Sequence, residues 1–366
     1  MTKISIVGGG NAGVFTALYL AWHGKKSNLE IELIYNPEIP PERVGQAALL
    51  SPPRLLFEAT GFNWYDNQIH ATFKSGILYE GFGKVNDKVF HAFSPSTMAM
   101  HYSPSVIQSY ILNSGNFKVT ECDVDPKDID ADLVWDCRGK PKDFSNYNEL
   151  INPLNSVILS KKEGKDLDLN YTRSVATPHG WTFIIPNHDS VSYGYLYNNE
   201  ITSKEDAENN MREMFDVEVG KHNHFKNYVV KDMVVDGRIV LNGNRLFFLE
   251  PMEATALHSY VEVATALSNH GIDGINYHFQ KYIREIQNFI LWHYSFGSKY
   301  DTPFWDYAKS LKFVDTLHDS IVKESKDCSW HELHKFLTEH QRDTYGMWTP
   351  YAFKNWYEGM TIKNQR

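Results

Sequence analysis

The opening of the chain constrains the rest most strongly. An alternating apolar run (Ile4, Ile6, Val7) leads directly into Gly8-x-Gly10-x-x-Gly13, and Val14 and Leu18 then recur at helical spacing beside Ala17 and Ala21. This is a strand, a glycine turn and a helix. Gly8 permits the tight turn, Gly10 lets backbone approach a pyrophosphate, and Gly13 lets the helix pack on the strand. The first helical turn, with Asn11 and Ala12, aims free N–H groups at the phosphates. A ligand-free glycine turn is the bland alternative, and the correct strand before and helix after it favour a dinucleotide site.

At 366 residues the chain can bury a substantial core as about two domains or one elaborate one. Its 21 Tyr, 21 Phe and 9 Trp fill cores by default but also build pockets that grip flat rings. A formal charge of -9 without a basic run argues against nucleic acid as a partner. Cys122, Cys137 and Cys328 are odd in number and lack metal-like spacing, which suits a reducing compartment; no metal site is expected. No apolar run approaches a membrane span, and the first strand lies too near Met1 to leave room for a signal peptide, so the expectation is a cytoplasmic protein.

Further strands are predicted at residues 29–34, within 69–82, at 132–139 ending in a glycine turn, and at 181–186, 191–197 and 238–241; helices are predicted at 54–60, 103–112 and 202–215. From residue 259 the pattern turns mostly helical, and Ser329-Trp330-His331-Glu332 is a capping box opening a helix to about His340. The second strand ends in Tyr35-Asn36-Pro37, without the acidic residue that often holds an adenosine ribose, although Asn36 can hydrogen-bond a hydroxyl. Residues 1–260 are expected to form a nucleotide-binding α/β body with an interleaved second sheet, and 261–366 a helical cap region.

Four segments carry a resemblance: G-G-G-N-A-G at 8–13, G-W-T-F-I-I-P at 180–186, F-L-E-P-M-E-A-T-A-L at 248–257 and N-F-I-L-W-H-Y-S-F-G-S-K-Y-D-T-P-F-W at 288–305. In this order they resemble the flavin-dependent halogenases of the tryptophan halogenase family. The resemblance implies an α/β, Rossmann-like (three-layer) flavoprotein monooxygenase-type fold with an additional β-sheet and a C-terminal helical cap. It implies FAD, used as FADH2 from a separate reductase met by diffusion, a halide ion as co-substrate, and a small electron-rich aromatic substrate.

Residue by residue, the resemblance implies that Lys74 and Glu253 are catalytic, and that Gly8, Gly10, Asn11, Ala12, Gly13, Asn36, Gln46, Ala47, Asn244 and Leu257 hold FAD. Thr255 and Ala256 would bind halide, while Trp181, Phe183 and Pro186 would wall the flavin from the substrate chamber. Three departures stand out: Phe183 replaces the second tryptophan of G-W-x-W-x-I-P, Gln46 replaces a glutamate, and Asn244 replaces an aspartate. Read without the family, Lys74 is a solvated strand lysine, Glu253 a helix-start acid, and Trp181 and Phe183 core aromatics. A direct hydroxylase and a degenerate flavin-binding protein stay open as alternatives, and a homo-oligomer is compatible with the sequence.

Overall fold

The computed structural model describes residues 1–42, 44–93, 97–164, 170–312 and 350–363. Its first layer is a six-stranded sheet. Strands β1 (Thr2–Val7), β2 (Leu29–Tyr35), β8 (Lys118–Glu121), β9 (Leu133–Asp136), β17 (Val234–Val235) and β18 (Ile239–Leu241) lie in the order β17-β18-β9-β1-β2-β8. All neighbours are parallel except β17 with β18. Ile6, Leu33 and Val134 are fully buried, as strands covered on both faces require. The switch of direction on either side of β1 puts a ligand crevice at its C-terminal end, where the glycine turn opens α1 (Asn11–His23).

The second sheet has seven strands in the order β15-β11-β14-β13-β12-β5-β6. Its members are β5 (Gly76–Glu80), β6 (Lys88–Ala92), β11 (Ser156–Glu163), β12 (Thr172–Thr177), β13 (Gly180–Pro186), β14 (Ser190–Tyr197) and β15 (Lys221–His224). Two small sheets join the layers: β3 (Gln46–Leu49), β7 (Ala99–Tyr102) and β4 (Thr72–Phe73) in the order β3-β7-β4, and β10 (Tyr147–Glu149), β16 (Tyr228–Val230) and β19 (Phe247–Phe248). The first of these was not anticipated, and it becomes the frame of the site.

The remaining helices are α2 (Ser51–Thr60), α3 (Pro104–Leu112), α4 (Lys204–Phe215), α5 (Ala256–Ser295), α6 (Pro303–Ser310) and α7 (Pro350–Thr361). Helix α4 begins as its sequence dictates: the Ser203 hydroxyl accepts the Asp206 N–H at 3.1 Å, with Glu205 and Asp206 in the first turn. At α3, Ser103 stands at the N-cap position, but its hydroxyl bonds the Ser105 hydroxyl at 3.0 Å and makes no hydrogen bond to the helix backbone. Helix α5 breaks at Gly271, whose φ of 67° and ψ of 179° are open to glycine and strained for other residues. The residue-260 boundary expected from sequence falls inside α5. The predicted capping-box helix, with Cys328, lies outside the described residues. Among the described residues no helix is long and apolar enough to cross a membrane.

Candidate active site

The glycine turn is built by contact. A β-carbon on Gly13 would stand 1.8 Å from the Gly8 carbonyl oxygen, and one on Gly8 would stand 2.6 Å from that of Cys137. One on Gly10 would meet no atom within 4 Å, so the space over the start of α1 is open. Gly10 caps α1 without a side-chain hydrogen bond, which leaves backbone N–H groups facing that space. The turn thus has the shape that a pyrophosphate needs.

Around this opening the structure gathers several expected flavin residues. Asn11 Nδ2 donates to Gln46 Oε1 at 2.9 Å, and the Tyr102 hydroxyl donates to the same oxygen at 2.9 Å. Gln46 Nε2 donates to Glu42. Asn11 Oδ1 is buried with no hydrogen-bond partner among the described residues, as expected for a group awaiting a ligand. A β-carbon on Gly243 would touch that of Ala12, so Asn244 stands beside the start of α1, with its Oδ1 accepting from the Tyr260 hydroxyl at 3.1 Å. Ala47 follows Gln46 on β3, opposite His101. Leu257 is buried in the first turn of α5. Asn36 turns its Oδ1 to the Glu38 N–H at 2.9 Å, and Tyr35 lays its ring against Gly9. This side-chain set fits a dinucleotide with its phosphates at α1.

The β3-β7-β4 sheet leads from here to a second cluster. Gln46 pairs with Tyr102 at one end, and Phe73 pairs with Met100 towards the other. Lys74 follows, its N–H donating to Ala99 carbonyl at 3.2 Å, at the step where the chain leaves this sheet for β5. Its side chain is therefore inside, 1 % exposed, and not the solvated lysine that a strand position suggests. Burial pushes the ammonium down to about 7, with the Glu253 charge opposing the shift. The ammonium nitrogen stands 5.5 Å from the Phe93 ring centre.

Glu253 enters from the far end of the chain, between β19 and α5. Ala254 beside it has φ 52°, a left-handed conformation that costs an alanine about 1–2 kcal/mol. This turn aims Glu253 inward, its side chain 9 % exposed. Its Oε1 lies 2.7 Å from His293 Nε2 and accepts the Tyr79 hydroxyl. Burial alone would raise this carboxyl, yet the His293, His91 and Tyr79 contacts hold it down at about 2. Nearby, burial lifts Glu250 to about 7, although Tyr294 donates to it at 2.7 Å. His101 is held well below its usual range by burial and the Lys74 charge, and contacts Thr72 at 3.2 Å and Thr172 at 2.9 Å.

Several residues here escaped the sequence reading. His91 and Phe93 lie at the end of β6 with ring centres 6.1 Å apart, and Trp356 of α7 sits 4.2 Å from the His293 ring and 4.4 Å from that of Tyr79. His293, between Trp292 and Tyr294, reads as part of an aromatic core stripe. The available signal was that a buried imidazole must find a partner.

Trp181 and Phe183 share one face of β13 at 6.3 Å, nearly edge to face, and the Pro186 carbonyl accepts the Thr72 hydroxyl at 2.8 Å, which ties β13 to β4. Thr255 is buried at the start of α5 and Ala256 is exposed there. A β-carbon on Gly194 would stand 2.0 Å from the Phe183 ring. Gly194→Ala is therefore expected to cost about 1–3 kcal/mol in thermal or chemical melts. The loss should shrink in a Phe183→Leu background, because the two sites share one volume.

Comparison with known proteins agrees with this architecture. The chain is 25% identical over 218 residues to tryptophan 7-halogenase RebH of Lentzea aerocolonigenes, covering 53% of this chain and 41% of that protein. The match thus spans about two fifths of the relative's length. The fold superposes on Xcc4156, a flavin-dependent halogenase from Xanthomonas campestris, with a TM-score of 0.82 and 18% identity, covering 99% of this chain and 89% of the other. BrvH, a flavin-dependent halogenase from Brevundimonas sp. BAL3, superposes with a TM-score of 0.79 and 18% identity over 100% of this chain and 91% of the other. The family description "tryptophan halogenase" matches residues 3–119 and 105–366, and so takes in both the glycine turn and the Lys74–Glu253 cluster; the chain belongs to the tryptophan halogenase family.

Proposed function

We propose that this protein is a flavin-dependent halogenase that replaces a hydrogen of an electron-rich aromatic ring with halogen, through Lys74 and Glu253. The observation that carries the reading is the burial of these two charged side chains in one cluster, joined by a three-stranded sheet to a turn shaped for a dinucleotide. Two opposite charges brought largely out of water need a reason beyond stability.

The fit of Gly10, Asn11, Gln46 and Asn244 supports FAD as the dinucleotide, and Gln46 and Asn244 keep hydrogen-bonding shape where charge is lost. When bound and reduced by a separate reductase, FAD supplies with O2 the oxidising power that turns halide into hypohalous acid. The N–H groups of Thr255 and Ala256 at the start of α5 offer the halide a site. Trp181 and Phe183 keep the aromatic substrate apart from the cofactor.

The reacting step balances on the two side chains. The Lys74 ammonium hydrogen-bonds the hypohalous oxygen and leaves the halogen electrophilic; the ring attacks it and the departing hydroxide takes a proton from Lys74 as water. The Glu253 carboxylate stabilises the cationic ring and accepts its proton. Its relatives among tryptophan 7- and 6-halogenases favour an indole substrate. The test is whether product mass depends on the halide supplied, since direct hydroxylation adds oxygen whatever salt is present.

The donor role of Lys74 fixes the sign of the pH dependence. With the ammonium required and its ionisation centred at about 7, halogenation with reductase in excess should fall as pH rises through that value. A rate that climbs through the same window would instead assign attack on the halogen by the neutral amine.

A further inference from the structure

His293 is buried, 1 % exposed, and both of its ring nitrogens are engaged. Nδ1 lies 2.7 Å from the Phe289 carbonyl oxygen, which only accepts, so Nδ1 carries a proton. Nε2 lies 2.7 Å from Glu253 Oε1, leaving one proton between imidazole and carboxyl. Tyr79 donates its hydroxyl to that same carboxylate oxygen, which favours placing the shared proton on the ring and the negative charge on Glu253. The Trp356, Phe289 and Tyr79 rings fix the imidazole, with centres 4.2, 4.9 and 5.7 Å away.

We propose that His293 is a positioning residue of the halogenation reaction: an imidazolium clamped between the Phe289 carbonyl and Glu253 that keeps Glu253 ionised and aimed. The inference rests on the reading of Glu253 as the group that meets the ring. Among the described residues, the other titratable or charged groups around this pair include Lys74 before β5, Tyr79 on β5, His91 on β6 and Glu250 before α5. Of these, Glu250 opposes ionisation of Tyr79 and is itself drawn down by the His293 charge, and burial of His91 disfavours a charge there. Without His293, Glu253 loses its largest stabilising charge and keeps only the smaller effects of His91 and Tyr79, so burial moves it towards the neutral acid, which stabilises no ring cation and takes no proton.

The experiment uses the full chain. In 15N-histidine protein, with His293 assigned through His293→Gln, both nitrogens should be protonated at neutral pH; a neutral imidazole there overturns the proposal without any variant. In 13C-carboxyl glutamate protein, assigned through Glu253→Gln, the Glu253 signal should stay ionised into the acidic range in the wild type and titrate at a clearly higher pH in His293→Gln. Tyr79→Phe, which keeps the imidazolium, should leave Glu253 ionised at neutral pH, so a loss of folding in the first variant does not decide the matter. The kcat of His293→Gln should gain an acidic limb, at least about tenfold lower at the acid end, with KM nearly unchanged. An unchanged Glu253 titration, or a loss equal at every pH, overturns the proposal. A carboxyl that shifts while kcat ignores the shift supports the clamp and overturns the assignment of Glu253 to the reaction.

Discussion

Replacing Lys74 with alanine is expected to lower halogenated product by about 10³-fold, with FAD affinity changed less than about threefold. The loss follows from geometry: the ammonium is buried beside Phe93 and within reach of the Glu253 charge, where no water can act in its place. FAD is spared because Gln46 sits on β3, across β7 from the β4 strand that leads into Lys74, and the glycine turn and Asn244 lie outside this sheet. Folding stability should respond in a way that a surface lysine would not. The folded state holds Lys74 at about 7 and the unfolded chain near 10.5, so the unfolded state binds more protons between these values. The wild type should therefore gain stability as pH rises through that window, and Lys74→Ala should lose most of this slope. Product formation that survives Lys74→Ala would remove the lysine from the mechanism.

Among the described glycines, Gly13→Ala is expected to be the most damaging added methyl group. The added carbon would stand 1.8 Å from the Gly8 carbonyl oxygen and 2.9 Å from its carbonyl carbon. Both atoms are backbone, so no side chain can swing away; either α1 lifts from β1 or the turn opens. Helix α1 packs on α5, α3 and α2 as well as on β2, and lifting it disturbs all of them. The expected result is a loss of about 3 kcal/mol or more in stability, seen as a depressed melting temperature, together with loss of saturable FAD binding. Gly10→Ala is the contrast: its β-carbon has open space, so the fold should tolerate it while FAD affinity falls, because that space is where the phosphates approach. Equal behaviour of the two variants would mean that the turn serves packing alone.

These two positions show how far the sequence carries. The opening strand, turn and helix were legible because alternation, three glycines and helical spacing agree within a single short stretch. The same holds for β13 and β14, whose long apolar runs are bounded by turns. The β3-β7-β4 sheet was not legible. Its strands have four, four and two residues, too short for a period to register, and they pair across the segment that carries α2. Without that sheet nothing local says that Lys74 turns inward.

Family likeness singled out Lys74 and Glu253, but their surroundings came only from the fold. His91 sits on an edge strand of mixed polarity and Phe93 just past its end, His293 hides in an apolar helix face, and Trp356 comes from α7 near the end of the chain. Such residues share no sequence neighbourhood; tertiary packing alone puts them in one cluster. Ala254 adds a second kind of silence, since nothing in an alanine announces a left-handed backbone, yet that turn directs Glu253 inward.

The account stands most directly on one measurement: mass spectrometry of indoles, phenols and pyrroles incubated with the protein, FAD, a flavin reductase and NADH, in parallel chloride, bromide and iodide, with Lys74→Ala alongside. The account predicts a product whose added mass follows the halide, replaces a single hydrogen and disappears in the variant. Oxygen insertion independent of halide, or halogenation that Lys74→Ala leaves intact, would contradict it.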